Sequence, residues 1–197
     1  DMVFFAQHFD VTASTYIADS VLYRLREGQL VENPQSDKVR TSGVVAVKSF
    51  YAGSRRYVVV GNRYGTRNVS DAGGAVVYEF VNGDLILRQE LTGLVGLTDM
   101  EYFHFNGAEW LVITTDPALA GSNSPGKITL FAWDSSNCTT SLTACDESVN
   151  FIVHDKMECH RCLTTVSWQS DADNHYILSV KRFFATNCYI FLLQMSF

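Results

Sequence analysis

The sequence predicts an all-β protein, a β-propeller of four-stranded antiparallel blades with about three full blades plus a half blade. Two observations predict it. The chain repeats itself with an offset of 53 to 55 residues, and each complete copy holds about four short strand-like runs. A repeat of this length, built from short strands, is typical of propeller blades. The copies cover about residues 2–55, 56–108, 109–174 and 175–197, so residues 1–197 are expected to form one propeller-type domain or part of one.

Aromatic residues, glycines and glutamines fall in step between the first two copies. The third copy continues the pattern with Trp110 in the place of Tyr57, and the fourth begins again at Tyr176. The aligned pairs are Phe4 with Tyr57, Tyr23 with Tyr78, Gly28 with Gly83, Gln35 with Gln89, Gly43 with Gly96 and Phe50 with Phe103.

The second copy shows each expected strand clearly. Residues 57–60 are a continuous apolar run, which fits a strand buried on both faces. Residues 75–80 are rich in β-branched and aromatic side chains, and the Asn-Gly pair at 82–83 is the strongest hairpin signal in the chain. Residues 85–89 and 97–105 supply the last two strands. We expect the four strands of one copy to form one blade, and neighbouring blades to stack because one blade cannot bury both of its faces.

The ordered pattern of the second copy resembles a known family. It consists of an aromatic and valine run ending in Asn at 57–62, a Val-Val-Tyr-x-Phe strand at 76–80, Asn-Gly-x-Leu at 82–85, Gln89, and a Gly to Phe segment at 96–103. This set resembles the EAR repeat, also called the EPTP or epitempin repeat, of the leucine-rich glioma-inactivated proteins. The resemblance covers the whole chain. Members of that family usually carry seven repeats, whereas this chain has about three and a half.

The resemblance implies an extracellular, non-enzymatic module for recognition or cell adhesion that binds a protein ligand or receptor. A multivalent carbohydrate-binding lectin and a structural extracellular-matrix protein are the alternatives. The net charge of −6 offers no basic surface for nucleic acid. No apolar run approaches the roughly 20 residues of a membrane span. No nucleophile or acid–base set can be assembled, so we do not expect an enzyme.

An incomplete set of repeats leaves apolar faces and strand edges to be covered. Three arrangements are open: a small four-bladed ring, pairing with a second chain to complete a larger ring, and a fragment whose remaining blades belong to another polypeptide. The last half-copy contains the very apolar run at 189–193. We expect oligomerisation, or association with another chain, to complete the propeller.

Candidate ligand-binding residues lie in the long loops that follow the first strand of each copy. These loops carry Tyr16 in the first copy and Arg63, Tyr64 and Arg67 in the second. Tyrosine and arginine are enriched at recognition hot spots. In a lectin, the same aromatic rings would stack on sugars, and equivalent loops would give repeated weak sites with avidity.

The five cysteines all lie in the last third of the chain. Cys138 and Cys145 fall in one insertion, and a disulfide between them is the simplest interpretation. Cys159 and Cys162 form a CxxC without the helical context of a redox motif. Zinc bound by both pairs is a less favoured alternative. Cys188 could pair with either member of the CxxC, and the odd count leaves one thiol that is buried or links chains.

Secretion and cation binding have weaker signals. Asn68 and Asn137 begin glycosylation sequons in expected loops, which indicates an extracellular glycoprotein. Asp99 is a candidate calcium ligand, because propeller channels can gather acids and carbonyl oxygens. Calcium needs six or more oxygen ligands, of which Asp99 would supply only part, and no cofactor other than this candidate ion is expected.

Overall fold

The computed structural model shows an all-β protein. It describes residues 2–32, 38–64, 72–105, 107–134, 151–159, 162–169, 176–182 and 189–193. Within these ranges, the side chains of residues 2, 32, 72, 120 and all those after 159 are not described. The chain divides into two compact units, unit 1 (Asp1–Val95) and unit 2 (Gly96–Phe197).

Two four-stranded antiparallel sheets make up the described part of unit 1. In the first sheet, β1 and β3 flank β2, and β4 pairs with the first half of β2. The second sheet is a meander in the order β5-β6-β7-β8. The strands are β1 (Met2–Phe5), β2 (Ile17–Arg26), β3 (Gln29–Glu32), β4 (Val39–Ser42), β5 (Val44–Ala52), β6 (Arg55–Tyr64), β7 (Ala72–Val81) and β8 (Asp84–Leu91).

Unit 2 repeats the meander. A four-stranded antiparallel sheet has the order β9-β10-β11-β12, and a three-stranded one has the order β13-β14-β15. The strands are β9 (Leu97–Phe105), β10 (Ala108–Thr115), β11 (Gly126–Trp133), β12 (Phe151–Cys159), β13 (Cys162–Gln169), β14 (Tyr176–Arg182) and β15 (Tyr189–Leu193), with a 3₁₀ turn at Pro117–Ala120. Strand β13 lies against β9 and β10. Three four-stranded sheets are compatible with propeller blades.

The hairpin predicted at Asn82-Gly83 is confirmed. Both residues have positive φ, 53° and 103°, and they join β7 to β8 with Val81 opposite Asp84. Two positive φ values in a two-residue loop match the right-handed twist of the flanking strands. The aligned turn in the first copy, Glu27-Gly28, has the same pattern with φ of 49° and 77°.

The aligned glycines Gly43 and Gly96 also have matching conformations. Their φ values are 59° and 67°, in the left-handed region that favours glycine. The carbonyl of Gly43 accepts a hydrogen bond from the N–H of Arg63 near the end of β6 at 3.1 Å, and the carbonyl of Gly96 accepts one from the N–H of Asp116, just after β10, at 2.8 Å. We call this contact, between the glycine before one strand and the end of the strand paired with it, the crossing. The sequence repeat is therefore also a structural repeat at the crossing.

The expectation that one sequence copy forms one sheet is wrong by one strand. The last strand of a copy pairs with the first strand of the next copy: β5 pairs with β6, and β9 with β10. The reason is loop length. Tight turns containing Gly53 or Gly107 link these strands, which favours antiparallel pairing of neighbours. The longer link at 92–96 instead carries the chain from the second sheet of unit 1 to the next sheet.

The two sheets of unit 1 meet through an apolar core. Val58, Val60 and Tyr78 of the second sheet cluster with Val39 of the first, and Phe4 packs against them. The run at 57–60 is buried on both faces, as the sequence predicted. Burial of such side chains contributes about 1.5–3 kcal/mol each.

Unit 2 has its own aromatic and aliphatic cluster. It contains Phe103, Phe105, Trp110, Val112, Ile128 and Leu130. The indole N–H of Trp110 donates to the carbonyl of Phe105 at 3.2 Å, so its polar atom is satisfied inside the core. His104 lies between two buried phenylalanines and is itself exposed, which confirms the strand alternation expected there.

Candidate recognition site

The loop between β1 and β2 is held in a compact shape by Asp10. Its backbone forms an isolated bridge with Thr15, with N–H to carbonyl distances of 2.7 and 3.1 Å. One carboxylate oxygen of Asp10 accepts from the N–H groups of Thr12 and Ala13 at 2.9 and 3.0 Å. Aspartate commonly stabilises turns this way. The loop is therefore structured by its own hydrogen bonds.

Buried hydroxyls attach the base of this loop to the first sheet. The N–H of Gln7 donates to Ser20 Oγ at 2.9 Å, and Thr41 Oγ1 donates to the carbonyl of Gln7 at 3.2 Å. The two hydroxyls are 2.8 Å apart, and both residues are fully buried. Buried polar groups that are satisfied in this way fix local geometry.

Four rings gather where this loop meets the end of β6, and we name them the aromatic cluster: His8, Phe9, Tyr16 and Tyr64. Tyr16 is its centre. Its ring lies 5.5 Å from His8 and 5.1 Å from Phe9, both edge to face, and 4.7 Å from Tyr64. These separations are within the range of favourable aromatic contacts. Two of the predicted ligand-binding residues, Tyr16 and Tyr64, are thus brought together.

The crossing at Gly43 places the cluster. The N–H of Gly43 donates to the carbonyl of Tyr16 at 2.9 Å. A Cβ at Gly43 would lie only 2.7 Å from the ring of Tyr64, so the ring rests directly on this glycine. The ring of His8 is fixed beside it by a 2.8 Å hydrogen bond from Nδ1 to the carbonyl of Val44. Backbone from both sheets of unit 1 thus positions the rings.

The cluster is partly open to solvent. His8 and Phe9 are exposed, and Tyr16 and Tyr64 are half-buried. Such a surface offers ring faces and phenol hydroxyls on a framework that is already ordered. Ordered tyrosines give contact area at low entropic cost, which suits protein recognition. Arg63 precedes Tyr64 and is half-buried, while Arg67 lies outside the described residues.

Phe9 and His8 belong to the site, although the sequence did not mark them as ligand-binding residues. Their contribution depends on the loop folding back on Tyr16, which the bridge between Asp10 and Thr15 produces. An available signal was the position of Asp10 at the start of a short polar stretch, a pattern that favours a tight turn.

The equivalent crossing in unit 2 has no such cluster in the residues that the structure describes. Where unit 1 has Arg63 and Tyr64, unit 2 has Asp116 and Pro117. The side chain of Asp116 is buried and accepts from the N–H of Ala118 at 3.1 Å, beginning the 3₁₀ turn. The backbone repeats, but the surface chemistry differs.

A second polar group on the β9–β10 hairpin was not anticipated. The hydroxyl of Tyr102 donates to Glu109, whose other carboxylate oxygen lies 2.9 Å from His104 Nδ1. Burial, followed by the bond to Glu109 and its charge, raises the pKa of Tyr102 well above its usual range. These cross-strand contacts tie the hairpin together, since His104 lies directly opposite Glu109.

The weaker predicted sites are only partly described. The carboxylate of Asp99 accepts from the N–H of Met100 at 2.8 Å. Among the described residues, no group of three or more His, Cys, Asp or Glu side chains could hold a metal, so calcium stays a prediction. Cys159 is disulfide-bonded. The remaining candidates lie outside the described residues or, for Cys162, the described side chains: Cys138, Cys145, Cys162, Cys188, Asn68 and Asn137.

In the described part of the chain, no helix is long and apolar enough to span a membrane.

Neither protein-family models nor curated protein sequences give a match to this chain. The likeness to the EAR repeat therefore rests on the residues of the sequence pattern alone.

Proposed function

We propose that this protein is a secreted, non-enzymatic recognition or adhesion module that binds a protein partner through the aromatic cluster. The observation that carries the proposal is the convergence of Phe9, Tyr16 and Tyr64 on an ordered crossing between two sheets. Exposed aromatic rings on a rigid base are typical of hot spots. The resemblance to the EAR repeat, the disulfide at Cys159 and the two sequons support an extracellular location.

A protein partner is favoured over a sugar by the difference between the two crossings. A propeller lectin gains avidity from equivalent pockets on successive repeats. In this protein, the crossing of unit 1 carries the ring pair of Tyr16 and Tyr64, whereas the equivalent crossing of unit 2 carries Asp116 and a 3₁₀ turn. One dissimilar aromatic surface suits one specific protein contact better than repeated sugar stacking.

We further propose that the sheets are propeller blades. In unit 1 the second sheet packs face to face on the first, through Phe4 and Val39 on one side and Val58 and Val60 on the other. Sheet stacking of this kind, repeated along a chain, generates a propeller or another stacked array.

Within the described residues of unit 1, the opposite face of the first sheet is largely apolar and exposed, with Gln7 and Asp19 as its polar members, which supports association. Phe5, Val21, Tyr23 and Leu30 line a surface recess of about 520 Å³ there, and Phe5 is 50% exposed. The face of this sheet that carries Phe4 and Val39 is covered by the second sheet of unit 1. We propose that a second copy of this chain covers the exposed opposite face, because stacked blades bury the apolar face that a terminal blade leaves uncovered.

Sedimentation equilibrium tests the association. Phe5→Asp places a charge in the recess and should shift the protein toward monomer. Tyr51→Asp, on an exposed tyrosine of β5 outside the recess, is the matched control and should leave the mass unchanged. A native protein that is monomeric at all accessible concentrations would overturn the proposed pairing.

Parallel binding arrays test the recognition function. The native, non-reduced protein is applied at multivalent density to extracellular receptor domains and to glycans, with and without free sugars. We expect the protein to bind one or a few receptor domains, and we expect free sugars not to inhibit this binding. Binding to glycans that a simple sugar removes would make the protein a lectin instead. Binding to neither array would count against both recognition functions and favour a structural role.

A further inference from the structure

The core between the two sheets of unit 1 leaves a cavity of about 290 Å³ at the end of β6 away from the aromatic cluster. Most of the residues that line it are apolar. Its apolar walls are formed by Phe4 and Leu22 of the first sheet and by Val47, Val58, Phe80 and Leu85 of the second. The volume lies near the lower end of the range for small-molecule sites, about 300–1,000 Å³. A small apolar group fits this space.

Two polar residues also line the cavity, Ser49 and Arg56. Arg56 lies directly across the sheet from Tyr51 on one side and Phe80 on the other. Its guanidinium carbon is 5.8 Å from the centre of the Tyr51 ring and 6.0 Å from that of Phe80. A guanidinium that stacks on rings keeps its N–H edge available for hydrogen bonds.

The neighbouring arginines are arranged differently. Arg55 and Arg88 both contact the buried carboxylate of Glu79, at 3.4 and 2.7 Å. Arg56 points to the other face of β6, and in the part of the chain that the structure describes no carboxylate lies within ion-pair distance of it. A half-buried cation at an apolar cavity is therefore left with two ring contacts, and an anion would complete its hydrogen bonding.

We propose that this cavity binds a small amphipathic carboxylate, with its alkyl or aryl tail among Val47, Val58 and Leu85 and its carboxylate on Arg56. Arginine binds carboxylates through two parallel N–H bonds, which gives this head group an advantage over a neutral one. The site is separate from the aromatic cluster, so it adds a small-molecule ligand to a protein proposed to bind another protein.

Titration calorimetry with octanoate on the intact protein tests the site. Octanol and acetate are the matched probes, since one lacks the charge and the other lacks the tail. We expect octanoate to bind with clearly higher affinity than either. Arg56→Gln should weaken octanoate binding about tenfold or more, because a charge-assisted hydrogen bond is lost. Arg40→Gln, which removes the same charge from an exposed position on β4, should leave the affinity unchanged.

A second variant tests the tail. Val47→Phe fills the cavity from the wall of β5 and should abolish octanoate binding while circular dichroism stays native. If that variant does not fold, the comparison of octanoate with acetate decides the same point. The proposal is overturned by absence of octanoate binding at about 10 mM, a very weak affinity on the usual scale. Equal binding to Arg56→Gln, or equal binding of octanol and octanoate, overturns it too.

Discussion

Tyr16 and Tyr64 are in contact across the two sheets of unit 1, with their ring centres 4.7 Å apart. The sequence predicted both in loops; Tyr16 does lie in a loop, but Arg63 and Tyr64 are the last residues of β6, which pairs with β7 up to Tyr64. The crossing at Gly43 brings the two rings together. The contact links the repeat architecture to the proposed function, because the backbone geometry is shared between repeats while the rings belong to this crossing.

Gly43→Ala should destabilise the protein and disturb the aromatic cluster. The substitution carries the cost of a left-handed residue, about 1–2 kcal/mol, and also drives a methyl group to 2.7 Å from the Tyr64 ring. Gly53→Ala is the matched control, since its φ is 60° but nothing lies within 4 Å of the added Cβ. Urea unfolding should show a larger loss for Gly43→Ala. Equal losses would mean that the ring moves aside freely.

Glu79→Gln should destabilise unit 1 through its ion pairs. The carboxylate is 7% exposed and contacts two arginines, so neutralising it leaves partly buried cations with weaker acceptors. Breaking a buried ion pair typically lowers the free energy of unfolding by about 3–5 kcal/mol. The loss for Glu79→Gln should be smaller, because the isosteric amide still accepts hydrogen bonds from the arginines. Glu90→Gln, at an exposed position of β8, serves as the control. A melting temperature that is the same for both variants would contradict the assigned role.

The stability of the protein should fall at alkaline pH through Tyr78. Burial, and secondarily the charge of Glu90, raises the pKa of Tyr78 to about 12. The unfolded tyrosine ionises near pH 10. Between these values the folded state holds a proton that the unfolded state has lost, so stability declines across this window and is unaffected below it. Urea unfolding of Tyr78→Phe should show a shallower decline. Tyr51→Phe, on an exposed ring, should behave like the native protein.

Trp110→Ala should strongly destabilise unit 2. The indole is buried, stacks on Phe103 with ring centres 6.4 Å apart and lies edge to face with His154 at 5.0 Å. Removing a buried tryptophan costs about 3–5 kcal/mol. Denaturant unfolding measures the loss, with Trp110→Phe as the conservative comparison. A loss for Trp110→Ala no larger than that for Trp110→Phe would mean that the cluster does not depend on this ring's volume.

Non-reducing peptide mapping should find Cys159 in a disulfide, and reductant should lower the melting temperature. Loss of a native disulfide in a small secreted domain typically costs about 2–5 kcal/mol. The mapping also identifies the partner among the other cysteines. Recovery of Cys159 as an alkylated free thiol from the native protein would contradict the bond.

Local features of the fold were predictable because they depend on short sequence signals. The hairpin at Asn82-Gly83 and the buried run at 57–60 follow from turn chemistry and periodicity, and both are confirmed. The division of strands between sheets was not predictable from the repeat alone. A repeating sequence does not show at which strand a sheet begins. The tight turn at Gly53 pairs β5 with β6, so β5 belongs to the second sheet of unit 1 and not to the first.

The candidate site was half visible in the sequence. Tyr16 and Tyr64 stood out as aromatic residues in aligned loops, but their contact depends on the left-handed crossing at Gly43. Phe9 joins them only because Asp10 folds its loop back. The cavity beside Arg56 had no local signal, since its two walls come from strands that are distant in the sequence.

The most direct test of the central claim measures the affinity of one array-identified receptor domain for three proteins: the native chain, Phe9→Ala and Tyr51→Ala. Phe9 is 37% exposed in the aromatic cluster, and Tyr51 is 60% exposed at the other end of the second sheet. We expect Phe9→Ala to weaken binding about tenfold or more, as a hot-spot truncation does, and Tyr51→Ala to bind like the native protein. Native affinity in Phe9→Ala would contradict recognition through the aromatic cluster.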